Sequence, residues 1–493
     1  MPLSKSGLHS EKETAASLFL NYSLVYTIGK WKQRLNMANN LPLLKGETIE
    51  LTIESLNHAG EGVGRIHGFT VFVPGALPLE KVTAKVISLQ KNYARALLQS
   101  ISAASPQRIM PVCEQYEPCG GCQLQHLDYA IQLQLKQKAV EDALQRIAGL
   151  SVPVLPTLGM EHPWRYRNKA QVPIGQQKNE LVAGFYEQRS HNIVDLKCCH
   201  IQHPANDFVV HTVRNILQKL AIAAYSEKEH RGLVRHILAR TSFATGETLV
   251  VIVTNGANLP KKEQICHALR EAIPNLCGIV QNVNTKRGNT ILGKEDITLW
   301  GRPWLCERLG DLEFHLSARS FFQVNPSQTV RLYGKALEYA ALSGEETVFD
   351  LYCGIGTISL FLARNAAKVI GVESLAAAVD DARKNALING ITNAKFYVGA
   401  AETVVPLLYK EGLRADVVVV DPPRKGCDQA LLETISKMSP QRIVYLSCNP
   451  ATLARDLSFL AKNGFTPVEA QPVDMFPQTS HVETVVLMSR VKE

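Results

Sequence analysis

The chain has 493 residues, 46% of them apolar and 20% charged, with a formal net charge of +8. That length exceeds a single core and implies two to four domains, and the apolar content excludes global disorder. The small cationic excess suits a polyanionic partner, yet an ordinary basic enzyme carries as much, so charge alone selects no function. No run approaches the ~20 continuous apolar residues of a membrane span. The apolar patch over 15–28 is broken by Asn21, Ser23 and Thr27, and acidic Glu11 and Glu13 precede it where a secretory signal has a basic start. A cytoplasmic protein with no membrane partner is expected, and no obligate protein partner is evident. Its eleven cysteines then point to metal binding, catalysis or burial instead of disulfides.

In chain order, residues 1–41 show no sustained period and read as a weakly structured extension. β-rich runs at 48–53, 68–73 and 82–89 are separated by turn clusters such as H-A-G-E-G-V-G (58–64) and Pro74-Gly75, the pattern of a small barrel over 42–102. Cys113, Cys119 and Cys122 follow. Helical spacing over 129–147 puts Ile131, Leu135, Ala139, Leu144 and Ile147 on one face, with Gly149 as the stop. The region 103–316 has α+β character, with helices at 207–220 and 261–272 and strands at 248–254 and 278–283. From 317 onwards strand and helix alternate. Strands are expected at 347–351, 368–372, 416–420 and 442–446, and helices at 358–365, 375–389, 429–438 and 452–463. This alternation predicts an α/β domain over 317–493 whose parallel sheet is covered on both faces.

The sequence D-L-Y-C-G-I-G (350–356) lies where a buried strand meets a helix, so glycines admit a ligand to the backbone and free amides face it. A G-x-G turn alone is weak evidence. The next strand strengthens it, because I-G-V-E (370–373) ends in Glu373, placed to accept hydrogen bonds from a ribose. The third glycine of a dinucleotide fingerprint is missing. D-x-x-C-G-x-G followed by V-E resembles the S-adenosylmethionine site of Rossmann-like methyltransferases better than an NAD site.

Two further strand ends carry chemistry. D-P-P-R-K-G (421–426) stiffens the exit from one strand and holds Asp421 at the carboxyl edge of the sheet. By itself this segment also fits an amino-group methyltransferase. S-C-N-P (447–450) puts Cys448 past an apolar strand beside a polar turn, where a thiolate is expected to be exposed and stabilised. Carbon 5 of uracil is a poor nucleophile. A thiolate adding to carbon 6 makes it an enolate carbon, and a base must later remove the carbon 5 proton. Glu483, within F-P-Q-T-S-H-V-E (476–483) just before a final strand, is the candidate base, with His481 its rival.

Taken together, F-Q-V-N (322–325), D-P-P-R-K-G, S-C-N-P-A-T-L-A-R-D (447–456) and F-P-Q-T-S-H-V-E resemble the RNA uracil-5-methyltransferase family, over about residues 42–493. That resemblance implies Cys448 as nucleophile and Glu483 as general base, with Gln323, Tyr352, Glu373 and Asp421 around S-adenosylmethionine and the target base. Thr357 stands where some relatives carry asparagine and is left out of the site. Phe321 and Phe322 are candidates to stack on a base, core packing being the alternative for one of them.

The cysteines Cys113, Cys119, Cys122 and one of the adjacent Cys198 and Cys199 make a four-thiolate set, which zinc and iron–sulfur centres both use. C-x5-C-G-G-C with Gln123 and Gln125 resembles the [4Fe–4S] segment of the ribosomal branch of the family, whose V-D-x-K-x-C pattern selects Cys199. By the same resemblance 42–102 is a TRAM domain, an RNA-binding barrel, with Lys91, Arg95 and Arg108 suited to phosphate contacts, and 103–316 is the iron–sulfur domain. A barrel with a cluster implies 23S ribosomal RNA as substrate; tRNA is the alternative.

Overall fold

A computed structural model describes residues 41–491. The expected extension over 1–41 lies outside them apart from its last residue. The chain divides into two compact units between Arg108 and Ile109.

In the first unit, strands β1 (Thr48–Leu56), β2 (Glu61–Ile66), β3 (Phe69–Pro74), β4 (Lys81–Leu89) and β5 (Tyr93–Ala103) close into a barrel in the order β1-β2-β3-β5-β4. Alternate residues such as Ile49, Leu51, Ile53, Val82, Ala84 and Val86 fill it, as the two-residue period of a half-buried strand requires. Strand β2 occupies most of the glycine-rich run read as a turn. A Cβ at Gly64 would lie 2.6 Å from the Thr52 carbonyl oxygen, so the glycines there permit close strand approach. Two expected phosphate contacts are corrected. Arg95 pairs with Glu61 and covers the Phe72 ring. Arg108 donates to Glu80 at 2.6 and 2.9 Å and to the Gly75 carbonyl. Both guanidinium groups are committed within the barrel, whereas Lys91 is exposed.

The second unit holds two sheets. Strands β6 (Lys169–Gln177), β7 (Glu180–Tyr186), β8 (Ile193–Asp195), β9 (Val234–Thr241), β10 (Thr248–Thr254), β11 (Leu276–Val283) and β12 (Glu295–Gly301) form the first, in the order β12-β11-β10-β9-β6-β7-β8. Helices Pro204–Lys219 and Lys262–Ala272 bury Val209, Val213, Ile265 and Leu269 in its core. A hairpin of β13 (Trp304–Leu309) and β14 (Leu312–Ser317) leads to the second sheet. This contains β15 (Thr347–Leu351), β16 (Lys368–Glu373), β17 (Ala394–Val398), β18 (Val417–Val420), β19 (Arg442–Ser447), β20 (Phe465–Val473) and β21 (Glu483–Arg490), in the order β17-β16-β15-β18-β19-β21-β20. One hydrophobic core runs from Leu249 and Val280 through the hairpin's Phe314 to Val348 and Val419, with no break in packing near residue 316. The strands expected to be parallel are so, and the edge beyond them is not: β21 runs antiparallel to β19, and β20 antiparallel to β21. The connection 474–482 contains no helix to carry the chain back over the sheet, so the strand it joins returns in the opposite direction. Among the described residues no helix is long and apolar enough to cross a membrane.

The helix Tyr129–Ala143 continues as a π-turn, Leu144–Ala148, and stops at Gly149 with φ +69°. Of the apolar face expected from spacing Leu144 is buried, whereas Ile131, Leu135 and Ala139 are half-buried. Gln132, Lys136 and Val140 point inward, while Ile147 is exposed. Lys136 Nζ donates to Asp474 Oδ1 at 2.5 Å and to the Phe476 carbonyl at 3.2 Å, and Tyr129 donates its hydroxyl to Asp474 Oδ2 at 2.9 Å. The Lys136 and Asp474 side chains are 2% and 0% exposed. Removing one charge of such a pair strands the other in a dry interior. Lys136→Met is expected to cost about 3–5 kcal/mol in urea denaturation, and adding Asp474→Asn should recover much of that loss.

Candidate active site

The carboxyl ends of β15, β16, β18 and β19 open on a cleft of about 530 Å³. Gln323, Tyr352, Glu373, Asp421, Cys448 and Glu483 all line it. Strand register explains the meeting of the last two. Ser447 at the end of β19 pairs with Thr484 on antiparallel β21, which sets Cys448 beside Glu483, the first residue of that strand. Asp421 directly follows β18, whose Val420 pairs with Tyr445 of β19.

The turn after β15 is unusual. Tyr352 has φ +67°, a left-handed conformation that non-glycine residues seldom adopt, and its amide donates to the Val372 carbonyl at 2.9 Å. Gly356 has φ +79°, and a Cβ there would lie 3.1 Å from Ala382 and Phe396. At Gly354 a Cβ would meet nothing within 4 Å, so backbone is open to a ligand at that point. Glu373 is no free surface group. Gly354 donates to its Oε2 at 3.2 Å, and Leu375 to its Oε1 at 2.8 Å. Beneath the turn, burial pushes Asp350 up to about 7, even though Ser359 donates to it.

The loop carrying Asp421 is tied to the loop carrying Cys448. Asn449 and Thr452 both donate to the Arg424 carbonyl at 3.1 Å, and Asp456 accepts from the Cys427 amide at 2.8 Å and the Tyr445 hydroxyl at 2.6 Å. The neighbouring residues make the site strongly acidic. Burial pushes Asp421 up to about 6. Burial, with Asp421 beside it, pushes Glu483 well above the carboxylate range. Burial, then Glu483 and Asp421, pushes the Cys448 thiol up to about 11, opposed by Arg424. The surroundings thus oppose the expected exposed, stabilised thiolate: burial and both carboxyl groups raise the thiol. Position past a strand said nothing of the two carboxyl groups that the fold packs beside it. Such a cleft favours a cationic ligand, which would relieve the acids and lower the thiol together.

Thr357, set aside from sequence, lines the cleft, as do Tyr333, Arg424 and Lys425. The two cations are the charges that follow Asp421 in D-P-P-R-K-G, which was the available signal. His481 is exposed, stands 3.4 Å from Arg424 Nη2 and does not line the cleft. Phe321 is 66% exposed on the cleft, whereas Phe322 is 2% exposed and packs near Phe314. Behind this segment β6 and β9 set Lys169 opposite Arg240, a like-charge pair that disfavours itself. Arg240 is 2% exposed and donates through Nη2 to the Ser320 carbonyl, but its Nε and Nη1 have no partner. Burial, Arg240 and Arg167 push Lys169 down to about 7. Some 70 residues separate these cations in sequence, which hid them.

Cys113, Cys119, Cys122 and Cys199 line one pocket of about 150 Å³. Cys198 does not; it is exposed and accepts from Arg165 at 3.2 Å. Gly121 donates its amide to Cys119 Sγ at 3.4 Å. Burial raises all four thiols, Cys122 to about 11 and Cys199 to about 12, so four thiolates would share this space only around a compensating cationic centre. The donor set fits a four-thiolate metal or iron–sulfur centre.

The strand order, the open glycine turn, the acid at the tip of β16 and the cleft at the carboxyl edge define a Rossmann-like methyltransferase. Residues 128–491 match the tRNA (uracil-5-)-methyltransferase family and residues 42–98 the TRAM domain. The chain belongs to that uracil-5-methyltransferase family. Uncharacterized RNA methyltransferases of Halalkalibacterium halodurans and Clostridium tetani are 51% and 48% identical over 91% and 92% of this chain, and 98% of each of theirs. The structure is similar to that of the Pyrococcus abyssi tRNA (uracil-54, C5)-methyltransferase in complex with S-adenosyl-L-homocysteine, with TM-score 0.72 and 28% identity over 89% of this chain and 100% of that one. The protein is an S-adenosylmethionine-dependent RNA uracil-5-methyltransferase.

The acidic cleft has a pH signature. The folded pKa of Asp421, about 6, lies above its unfolded value. Its contribution is therefore fully present below about pH 4 and lost as pH rises through 6. Asp421→Asn should be more stable than the wild type by about 3 kcal/mol at pH 8, while the two should melt alike at pH 4.

Proposed function

We propose that Cys448 adds to carbon 6 of the target uridine and that Glu483 removes the carbon 5 proton after methyl transfer. The observation that carries this reading is the Ser447–Thr484 pairing, with both side chains on one cleft. The Cys448 thiol gives its proton to solvent and keeps the electron pair on sulfur; the sulfur–carbon 6 bond forms as the carbon 5–carbon 6 double bond opens, and carbon 5 becomes the nucleophile. S-Adenosylmethionine, when bound, supplies the electrophilic methyl group. Gln323, Tyr352, Glu373 and Asp421 surround donor and base, and the donor's positive charge would lower the raised Asp421 and Glu483 carboxyl groups. Loss of the carbon 5 proton to Glu483 restores the double bond and expels the Cys448 thiolate. Phe321 stacks on a base.

The RNA read in this way is a tRNA. Support comes from the stated substrate of the Pyrococcus abyssi enzyme, whose match to 89% of this chain is longer than 109–491 can supply. It therefore reaches into the barrel, and a barrel does not exclude a tRNA substrate. A second reading, 23S ribosomal RNA, is favoured by the four-cysteine pocket through the resemblance of its spacing to the ribosomal branch. Cys448→Ala should reduce methylation below about 0.1% of wild type with RNA binding kept. Glu483→Gln should accumulate a covalent protein–RNA adduct. Normal turnover by Glu483→Gln would remove that residue as the base. Mapping 5-methyluridine in tRNA and 23S RNA, from cells with and without the protein, separates the two readings.

The cysteine pocket is read as holding a [4Fe–4S] cluster on Cys113, Cys119, Cys122 and Cys199. Protein purified without air should contain iron and sulfide in equal amounts. Cys199→Ser should lose them and Cys198→Ser keep them; a zinc-loaded, colourless protein would refute the assignment.

A further inference from the structure

Away from the cleft and the cysteine pocket, the hairpin carries a cluster of three different donor types. Cys306 on β13 and His315 on β14 are direct partners across the hairpin, and Glu313 lies two residues before His315, hence on the same face. The Cys306 sulfur, a His315 ring nitrogen and a Glu313 carboxylate oxygen all lie within 4.8 Å of one another. The other face, with Leu305, Leu309, Leu312, Phe314 and Leu316, is locked into the core, so this grouping is fixed by strand alternation.

The surroundings hold the donors in place. The Cys306 amide donates to Glu247 at 2.8 Å, the Glu313 amide to Asn389 at 2.8 Å, and the His315 amide to Asn385 at 2.9 Å. Trp304 stacks flat on the His315 ring, with centroids 3.6 Å apart. Glu313 Oε1 is 3.2 Å from His315 Nε2. A competing cation is Arg308, 3.4 Å from Glu313 Oε2 and well exposed, an ion pair weak enough to give way.

We propose that Cys306, Glu313 and His315 bind a divalent transition-metal ion of the zinc class, leaving a fourth position for water. One sulfur, one imidazole and one carboxylate suit tetrahedral zinc and are poor ligands for magnesium or calcium, which prefer oxygen. Binding forms the metal–sulfur bond and releases the thiol proton to solvent. No residue is shared with the four-cysteine pocket, and the mixed donor set is not one that iron–sulfur clusters use as a rule.

The test uses the full-length protein, purified without chelator, equilibrated with excess Zn²⁺, desalted and assayed for zinc. Wild type should retain one equivalent more than Cys306→Ser, and His315→Gln should bind Zn²⁺ more than about 10-fold more weakly. With Co²⁺ as probe, thiolate-to-cobalt charge-transfer absorbance should be lower in Cys306→Ser than in wild type, and lower in Cys113→Ser/Cys306→Ser than in Cys113→Ser, which separates the hairpin from the cysteine pocket. The proposal is overturned if folded wild type retains no more zinc than Cys306→Ser, or if that substitution leaves the cobalt absorbance unchanged. Because wild type must itself show this absorbance, misfolding of a variant cannot rescue the idea.

Discussion

The active site depends on one antiparallel strand pairing. Five strands of the catalytic sheet are parallel and deliver the glycine turn, Glu373, Asp421 and Cys448 to one edge. A further parallel strand would have brought the start of β21, and Glu483 with it, to the opposite edge. Reversal of β21, with Ser447 against Thr484, puts the carboxyl group where the thiol is. A one-residue slip would turn Glu483 to the other face of the sheet and away from Cys448.

That convergence works against stability. Asp350, Asp421 and Glu483 are all pushed upward, by burial first, and the Cys448 thiol rises with them. Each would be less strained in water, so the cleft is held in an unfavourable state by the rest of the fold. The strained backbone at Tyr352 lies in the same place, as strained residues at functional sites often do. A positively charged ligand relieves the electrostatic part of this strain, which makes ligand affinity and thiol ionisation two aspects of the same electrostatics.

Much of the catalytic sheet was legible because its parallel strands are continuous apolar runs with polar motifs at their ends. The glycine turn, D-P-P-R-K-G and S-C-N-P stand at strand exits, and the fold brings strand exits together. Where packing partners are distant in sequence, the reading failed. The helix from Tyr129 buries Gln132 and Lys136 because Gln478 and Asp474 wait more than 330 residues away, and apolar periodicity cannot register a polar partner. Arg95 and Arg108 read as free cations for the same reason. Strand β2 was hidden by glycines that also make turns. The upward push on the Cys448 thiol was missed because ionisation is set by neighbours in space, and sequence offered only neighbours in chain.

The polar lock around 474–482 joins the two halves of this unit that sequence kept apart. Asp474 is held by Lys136 and Tyr129, its carbonyl by Gln328, the Met475 carbonyl by Asn325, and the Pro477 carbonyl by Tyr166. Gln478, at φ +70°, accepts through its carbonyl from the amides of Gln123 and Leu124. Those amides follow Cys122 immediately, so the cysteine segment touches the loop that ends at Glu483. Whatever gathers the four thiols also fixes the backbone on which that loop rests. The cysteine segment and the loop that ends at Glu483 are thus joined by backbone hydrogen bonds at Gln478.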